Sequence, residues 1–267
     1  MNAPIEAGLS PCVLSETREG VRTLTMNRGE RFNALSRDML SALERALDEA
    51  GADAGVRSIV IGGAGKGFCA GHDLRELREH ADPAWHRELF DACSRVMLRI
   101  TALPQPVIAR VHGIATAAGC QLVSMCDLAV AADTARFALP GVNVGIFCST
   151  PAVGVGRNVA RKRVMEMLIT GDTIDAQTAL EWGLVNRVVP AADLDAAVKA
   201  FTDKIAARSA SVIALGKRAF YAQIERTLPD AYALTSGTMT CNMADPDAAE
   251  GIDAFLEKRP ANWNAGR

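Results

Sequence analysis

The stretch His112-Gly113-Ile114-Ala115-Thr116-Ala117-Ala118-Gly119-Cys120-Gln121-Leu122-Val123-Ser124-Met125-Cys126-Asp127 follows a short apolar run, Val107 to Val111. That run reads as a buried strand. Small residues dominate next, up to Gly119. Helical spacing then begins at Cys120 and ends near Asp127. A strand, a tight turn of small residues and a buried helix leave backbone N–H groups uncovered at the positive end of a helix dipole. Such a place suits a negative oxygen. A close-packed turn that admits no large side chain fits the same residues, and this stretch alone does not choose between the two.

Working outward, 267 residues fit one large α/β domain or one domain with an appendage. Apolar residues make up 49%, ample for a core, and the net charge of −2 points to neither nucleic acid nor a membrane surface. No apolar run approaches the length of a membrane span. The N-terminal MNAPIEAGLSPC lacks the basic start and apolar block of a secretory signal, and it is poor in Arg. The seven cysteines form no CxxC pair and read as reduced core residues. A cytoplasmic protein is therefore expected. No metal is expected either, because the four histidines have no ligand spacing to the cysteines.

Two strands are expected around Val13-Leu14 and from Val21 to Met26, joined by a hairpin turn at Glu19-Gly20. A helix is expected from Ala34 to Ala50, with Ser36 as N-cap and Gly51 as stop. Arg57 to Ile61 reads as a strand. The glycine-rich GGAGKGFCAG, 62–71, fails as a phosphate loop because Lys66 is followed by Gly67 rather than Ser or Thr. Helix follows from Leu74 to Leu103, broken at Ala81-Asp82-Pro83. Further strands are expected at Leu128 to Ala132, Arg136 to Leu139 and Leu184 to Val189. Helices are expected over Ala160 to Ile169, Thr173 to Trp182 and Asp193 to Arg208. From Ser211 the chain reads as helical, interrupted by Pro246. The expected class is an α/β core with parallel strands and a helical tail.

Several segments match one family when taken in order. They are Phe68-Cys69-Ala70-Gly71-His72-Asp73-Leu74; His112-Gly113 with Gly119-Cys120-Gln121-Leu122 and Cys126-Asp127; Thr170-Gly171 and Ala176; Trp182-Gly183-Leu184-Val185-Asn186; and Ala254-Phe255-Leu256-Glu257-Lys258-Arg259-Pro260. Together they resemble the crotonase superfamily, the enoyl-CoA hydratase/isomerase family. The resemblance implies a crotonase-like spiral of ββα units over 1–200 and a helical trimerisation region over 201–267. It also implies a homotrimer or a hexamer of two trimers, an acyl-CoA thioester as substrate, and no cofactor beyond the coenzyme A that the substrate carries. The family's shared device is a pair of backbone N–H groups that hold the thioester oxygen as it becomes an enolate. By position these belong to His72 and Ala118. Ala118 stands where the family usually has glycine; a backbone N–H suffices there if its φ is negative. Coenzyme A contacts carry over to Arg31, Phe32, Ala70, Gly71, Asp73 and Leu74, with Lys258 for a phosphate.

The family's hydratases use two glutamates. Here the positions are Gln121 and Gly141. An amide holds a water but does not take its proton near neutral pH, and glycine offers no side chain. Since a placed acid or base is worth about 10²–10⁴-fold, classical hydration is expected to be slow. Two functions stay open: a lyase or isomerase with altered acid/base residues, or a non-catalytic acyl-CoA-binding or assembly subunit. A dinucleotide-binding enzyme is disfavoured, since no GxGxxG opens a helix.

Overall fold

The computed structural model describes residues 10–263. The chain starts with a hairpin of β1 (Val13–Arg18) and β2 (Val21–Met26). Glu19 and Gly20 both have positive φ, 50° and 76°, as a two-residue turn matched to strand twist requires. After a 3₁₀ turn, α1 (Arg37–Ala52) begins where Ser36 accepts a hydrogen bond from Met39 N. It runs past the expected stop at Gly51 and ends at Asp53. Next come β3 (Ser58–Gly63), β4 (Gly67–Cys69), α2 (Leu74–Glu79) and α3 (Pro83–Ala102). Asp82 caps α3 with Pro83 in its first turn.

The decisive stretch differs from expectation in two places. After β5 (Val107–Val111), a short strand β6 (Ile114–Thr116) occupies what read as a turn, and α4 (Ala118–Met125) begins two residues before Cys120. The chain continues with β7 (Leu128–Ala132), β8 (Arg136–Ala138), a 3₁₀ turn at Pro140–Val144, α5 (Ser149–Asn158) and α6 (Arg161–Thr170). The expected helix from Thr173 starts instead as β9 (Thr173–Asp175), and α7 (Ala176–Glu181) follows. Asp175 closes the strand and caps that helix through Thr178 N, so one residue serves both elements. Then come β10 (Arg187–Val189), α8 (Leu194–Ala206), α9 (Ala210–Gln223), α10 (Leu228–Met243) and α11 (Pro246–Leu256). Pro246 opens α11 at a position where its missing N–H costs nothing.

Two sheets result. The larger has the order β1-β2-β3-β5-β7-β10 and the smaller β4-β6-β8-β9. Among the described residues only the β1–β2 and β8–β9 pairs are antiparallel. Three times the chain lays a strand in the large sheet (β3, β5, β7), the next in the small sheet (β4, β6, β8), and goes on into a helix. This is the spiral of ββα units, and the chain has the crotonase fold. The large sheet is covered on both faces, which is why its middle strands read as unbroken apolar runs. Ile59 and Ile61 face the main core with α1, α3 and α4, whereas Val60 faces Ile108, Val130, Leu194 and Val198 beneath α8.

The helical tail buries little of itself: α9 has no buried residue and α10 only Ala231. Its attachment to the core is polar. Lys217 Nζ donates to Ile100 O and Gln105 O, both at 2.9 Å, and to Asp127 Oδ2 at 2.6 Å. Tyr221 OH donates to Asp127 Oδ1 at 2.9 Å, and Val107 N donates to Oδ2 at 2.6 Å. The Lys217 side chain is only 6% exposed. Burial pulls its pKa down and Asp127 opposes the shift. Removing one partner strands a buried charge. Lys217→Met is therefore expected to cost about 3–5 kcal/mol, read as a lower urea midpoint, with faster amide exchange in α9 than in β5.

Candidate active site

In the small sheet β4 and β6 run parallel, with Cys69 opposite Ala115. Three residues beyond each partner the chain reaches His72 and Ala118. The two loops touch. Gly71 has φ +88°, and a Cβ built on it would lie 2.9 Å from Ala117 Cβ and 3.2 Å from Ala118 N. Glycine is required there by conformation and by space. Thr116 Oγ1 donates to Ala70 O at 3.0 Å and straps the loops together. Ala118 is the first residue of α4, and no side chain caps that helix. Among the described residues, neither the His72 nor the Ala118 N–H is used in a backbone hydrogen bond.

The strained residue is Ala117, not Ala118. Ala117 has φ 50° and ψ −120°, a glycine-like conformation that costs an alanine about 1–3 kcal/mol. It is held by Ala117 N donating to Ala138 O at 2.9 Å and by Gln121 N donating to Ala117 O at 3.0 Å. Ala118 itself is helical, so its N–H is available without strain.

His72 Nδ1 lies 3.2 Å from Leu35 O. A carbonyl only accepts, so the proton sits on Nδ1. Nε2 is then a bare acceptor, buried and without a partner among the described residues. The ring meets Phe90 edge to face, and burial lowers its pKa, so it is neutral near pH 7. Gln121 is one turn past Ala118, 4% exposed, and its Oε1 is also buried without a partner. Each orphan acceptor is costly, about 1–3 kcal/mol, and marks a place where a donor is wanted.

Gly141 is buried in the 3₁₀ turn after β8. A Cβ there would run into the Ile146 carbonyl oxygen and lie 2.9 Å from Cys148 Sγ. The volume of a side chain is thus already filled, chiefly by backbone. Cys148 and Cys120 are thiols: burial raises both pKa values, Cys120 to about 12. Neither is a ready nucleophile.

The carried-over coenzyme A residues are only partly brought together. Ala70 N donates to Phe32 O at 3.0 Å, and Leu35 N donates to Gly71 O at 2.8 Å. Arg31 lies 3.8 Å from Asp73, which caps α2 ahead of the exposed Leu74. Lys258 follows α11, and its backbone N–H donates to Phe255 O within the tail. Leu35 O and the strained Ala117 were missed from sequence; a backbone carbonyl's orientation and a φ angle leave no mark in residue type. Among the described residues no group of three or more His, Cys, Asp and Glu could hold a metal ion, and no helix is long and apolar enough to cross a membrane.

The sequence model of the enoyl-CoA hydratase/isomerase family matches residues 16–266. The chain belongs to the enoyl-CoA hydratase/isomerase family. It is 45% identical over 254 residues to enoyl-CoA hydratase domain-containing protein 3, mitochondrial, of Xenopus laevis, covering 95% of this chain and 86% of that one. The human protein of that name is 46% identical over 246 residues, covering 92% and 81%. The crystal structure of the human protein aligns with a TM-score of 0.92 at 45% identity, over 94% of this chain and 100% of that chain. An enoyl-CoA hydratase of Mycobacterium smegmatis aligns with a TM-score of 0.94 at 52% identity, over 96% and 100%.

Because folded His72 titrates below its ordinary value of 6.5, the unfolded chain takes up the proton first as pH falls. The stability from its neutral form is fully present above pH 6.5 and is lost below it. His112 is shifted in the same direction, also chiefly by burial. Urea midpoints taken from neutral pH downward are expected to fall less steeply for His72→Gln than for the parent.

Proposed function

We propose that the chain binds acyl-CoA thioesters and stabilises a thioester enolate between the N–H groups of His72 and Ala118. The observation that carries this reading is the close approach of Gly71 to Ala117 and Ala118 at a helix start, next to two N–H groups that take no part in a backbone hydrogen bond among the described residues. Such donors, aimed where charge develops, are worth about 10²–10³-fold each. Arg31, Phe32, Ala70, Gly71, Asp73 and Leu74 take the coenzyme A portion, and Lys258 pairs with a phosphate, supplied by a neighbouring subunit. No further cofactor is used.

Gln121 accepts a hydrogen bond from a water or from the substrate, but it does not accept a proton. With Gly141 unable to supply an acid, reactions limited by enolate formation suit the site best: isomerisation, thioester hydrolysis, or slow hydration. The filled space at Gly141 also favours a second reading, a non-catalytic acyl-CoA-binding or assembly subunit that keeps the donors and forgoes turnover. Assembly as a homotrimer or a dimer of trimers is in keeping with the exposed apolar residues of the tail, among them Leu228, Tyr232, Met239 and Phe255. A cytoplasmic location fits the cysteines, all of them free thiols; the relatives are named mitochondrial.

The test is calorimetry and turnover with enoyl-, 3-enoyl- and saturated acyl-CoA. Binding is expected for all three, with hydration about 10²–10⁴-fold below that of a two-glutamate relative. Gln121→Glu is expected to raise hydration. Gly141→Glu is expected to lower the melting temperature without a gain, because its Cβ meets the Ile146 carbonyl. Parental hydration at the relative's rate would refute the role given to the missing carboxylates, and absence of coenzyme A binding would refute both readings.

A further inference from the structure

The glycine-rich stretch 62–71 is no phosphate loop, and the candidate site uses only its last residues. What the rest of it does follows from Asn33. This residue is fully buried with φ 53°, a left-handed conformation that Asn tolerates better than most residues. Its Nδ2 donates to Ala64 O and Gly67 O, both at 2.9 Å, and to Phe68 O at 3.1 Å. Its Oδ1 accepts from Arg28 N at 2.9 Å. Two amide N–H groups thus serve three carbonyls of one loop while the oxygen closes the loop that carries Arg31 and Phe32. The glycines make room for this seat: a Cβ on Gly63 would lie 2.6 Å from Asn33 Nδ2, and one on Gly29 would lie 2.9 Å from the backbone of Ala64.

The neighbours of Asn33 on either side then hold the next part of the same stretch. Phe32 O accepts from Ala70 N at 3.0 Å, and Leu35 N donates to Gly71 O at 2.8 Å. Leu35 O accepts from His72 Nδ1 at 3.2 Å. The segment 64–72 is thereby pinned along its length to the segment 28–35, with Asn33 as the buried centre.

We propose that Asn33 is a positioning residue whose side-chain amide fixes segment 64–72 so that the His72 N–H stays beside the Ala118 N–H. It thereby ties the loop at the coenzyme A end to the donors at the thioester end. The inference rests on the acyl-CoA reading above. A displacement of about 1 Å in such a constellation costs on the order of 10²-fold, and loss of the amide leaves three loop carbonyls without their donor.

The experiment uses the full chain and 4-(dimethylamino)cinnamoyl-CoA, whose absorption moves to longer wavelength when N–H donors polarise the thioester carbonyl. Asn33→Gly keeps the backbone conformation and removes the amide. Asn33→Asp keeps the shape and replaces the donor with an acceptor. At saturating probe, with native circular dichroism, the red shift is expected to be at least halved in Asn33→Gly. In Asn33→Asp it is expected to be small at neutral pH and to recover at acid pH, where a protonated carboxyl donates again, while the parent changes less. If Asn33→Gly does not fold, the pH profile of Asn33→Asp decides alone. A folded variant with the parental red shift, or an Asn33→Asp shift that does not recover at acid pH, overturns the proposal and leaves the acyl-CoA reading standing. A parent with no red shift and no binding of free coenzyme A overturns the acyl-CoA reading itself.

Discussion

Parallel pairing between β4 and β6 is the constraint on which the candidate site depends. Parallel strands cannot be joined by a tight turn, so each must belong to a separate pass of the chain. Successive passes then leave the small sheet at the same edge, with a register shift in β4 between Gly67 and Cys69. Cys69 opposite Ala115 places His72 and Ala118 at equivalent points of consecutive units. Two loops distant in sequence become neighbours because the fold repeats itself, and Gly71 permits the approach by having no side chain.

The cost of this arrangement is visible around it. Ala117 takes a conformation natural to glycine, and α4 starts without a cap. His72 Nε2 and Gln121 Oε1 are buried with no partner among the described residues. Strain, an uncapped helix start and an unpaired acceptor, Gln121 Oε1, fall between Ala117 and Gln121. Arg31 lies 3.8 Å from Asp73, and Asp73 is engaged in capping α2. The polarity left for chemistry is that of backbone dipoles and neutral side chains, which suits holding an oxyanion better than moving protons.

Much of the fold was legible because periodicity and caps carry it. The Glu19-Gly20 turn, the Ser36 cap, the break at Asp82-Pro83 and the buried strands at 58–63, 107–111 and 128–132 follow from residue type and spacing. The missed strands share one cause. Strands β6 and β9 are three residues long, too short for alternation to show, and each exists only because a neighbouring strand completes its hydrogen bonds. The start of α4 was misplaced because Ala118 and Gly119 resemble turn residues when their burial is unknown.

The residues alone determined that Gln121 does not act as a carboxylate and that position 141 offers no acid, since these are matters of chemical identity. They also carried the family's motifs in order, and the family match bears that resemblance out. Only the tertiary structure decided why Gly141 is closed to any side chain, why the glycine-rich stretch is glycine-rich, and which residue bears the strain. Each of these depends on a close approach that residue type does not encode: Gly141 to Ile146 within one turn, and Gly29 to Ala64 and Gly71 to Ala117 between segments far apart in the chain. Sequence patterns record what each residue is and how often it recurs, and those distances exist only after the sheets have formed.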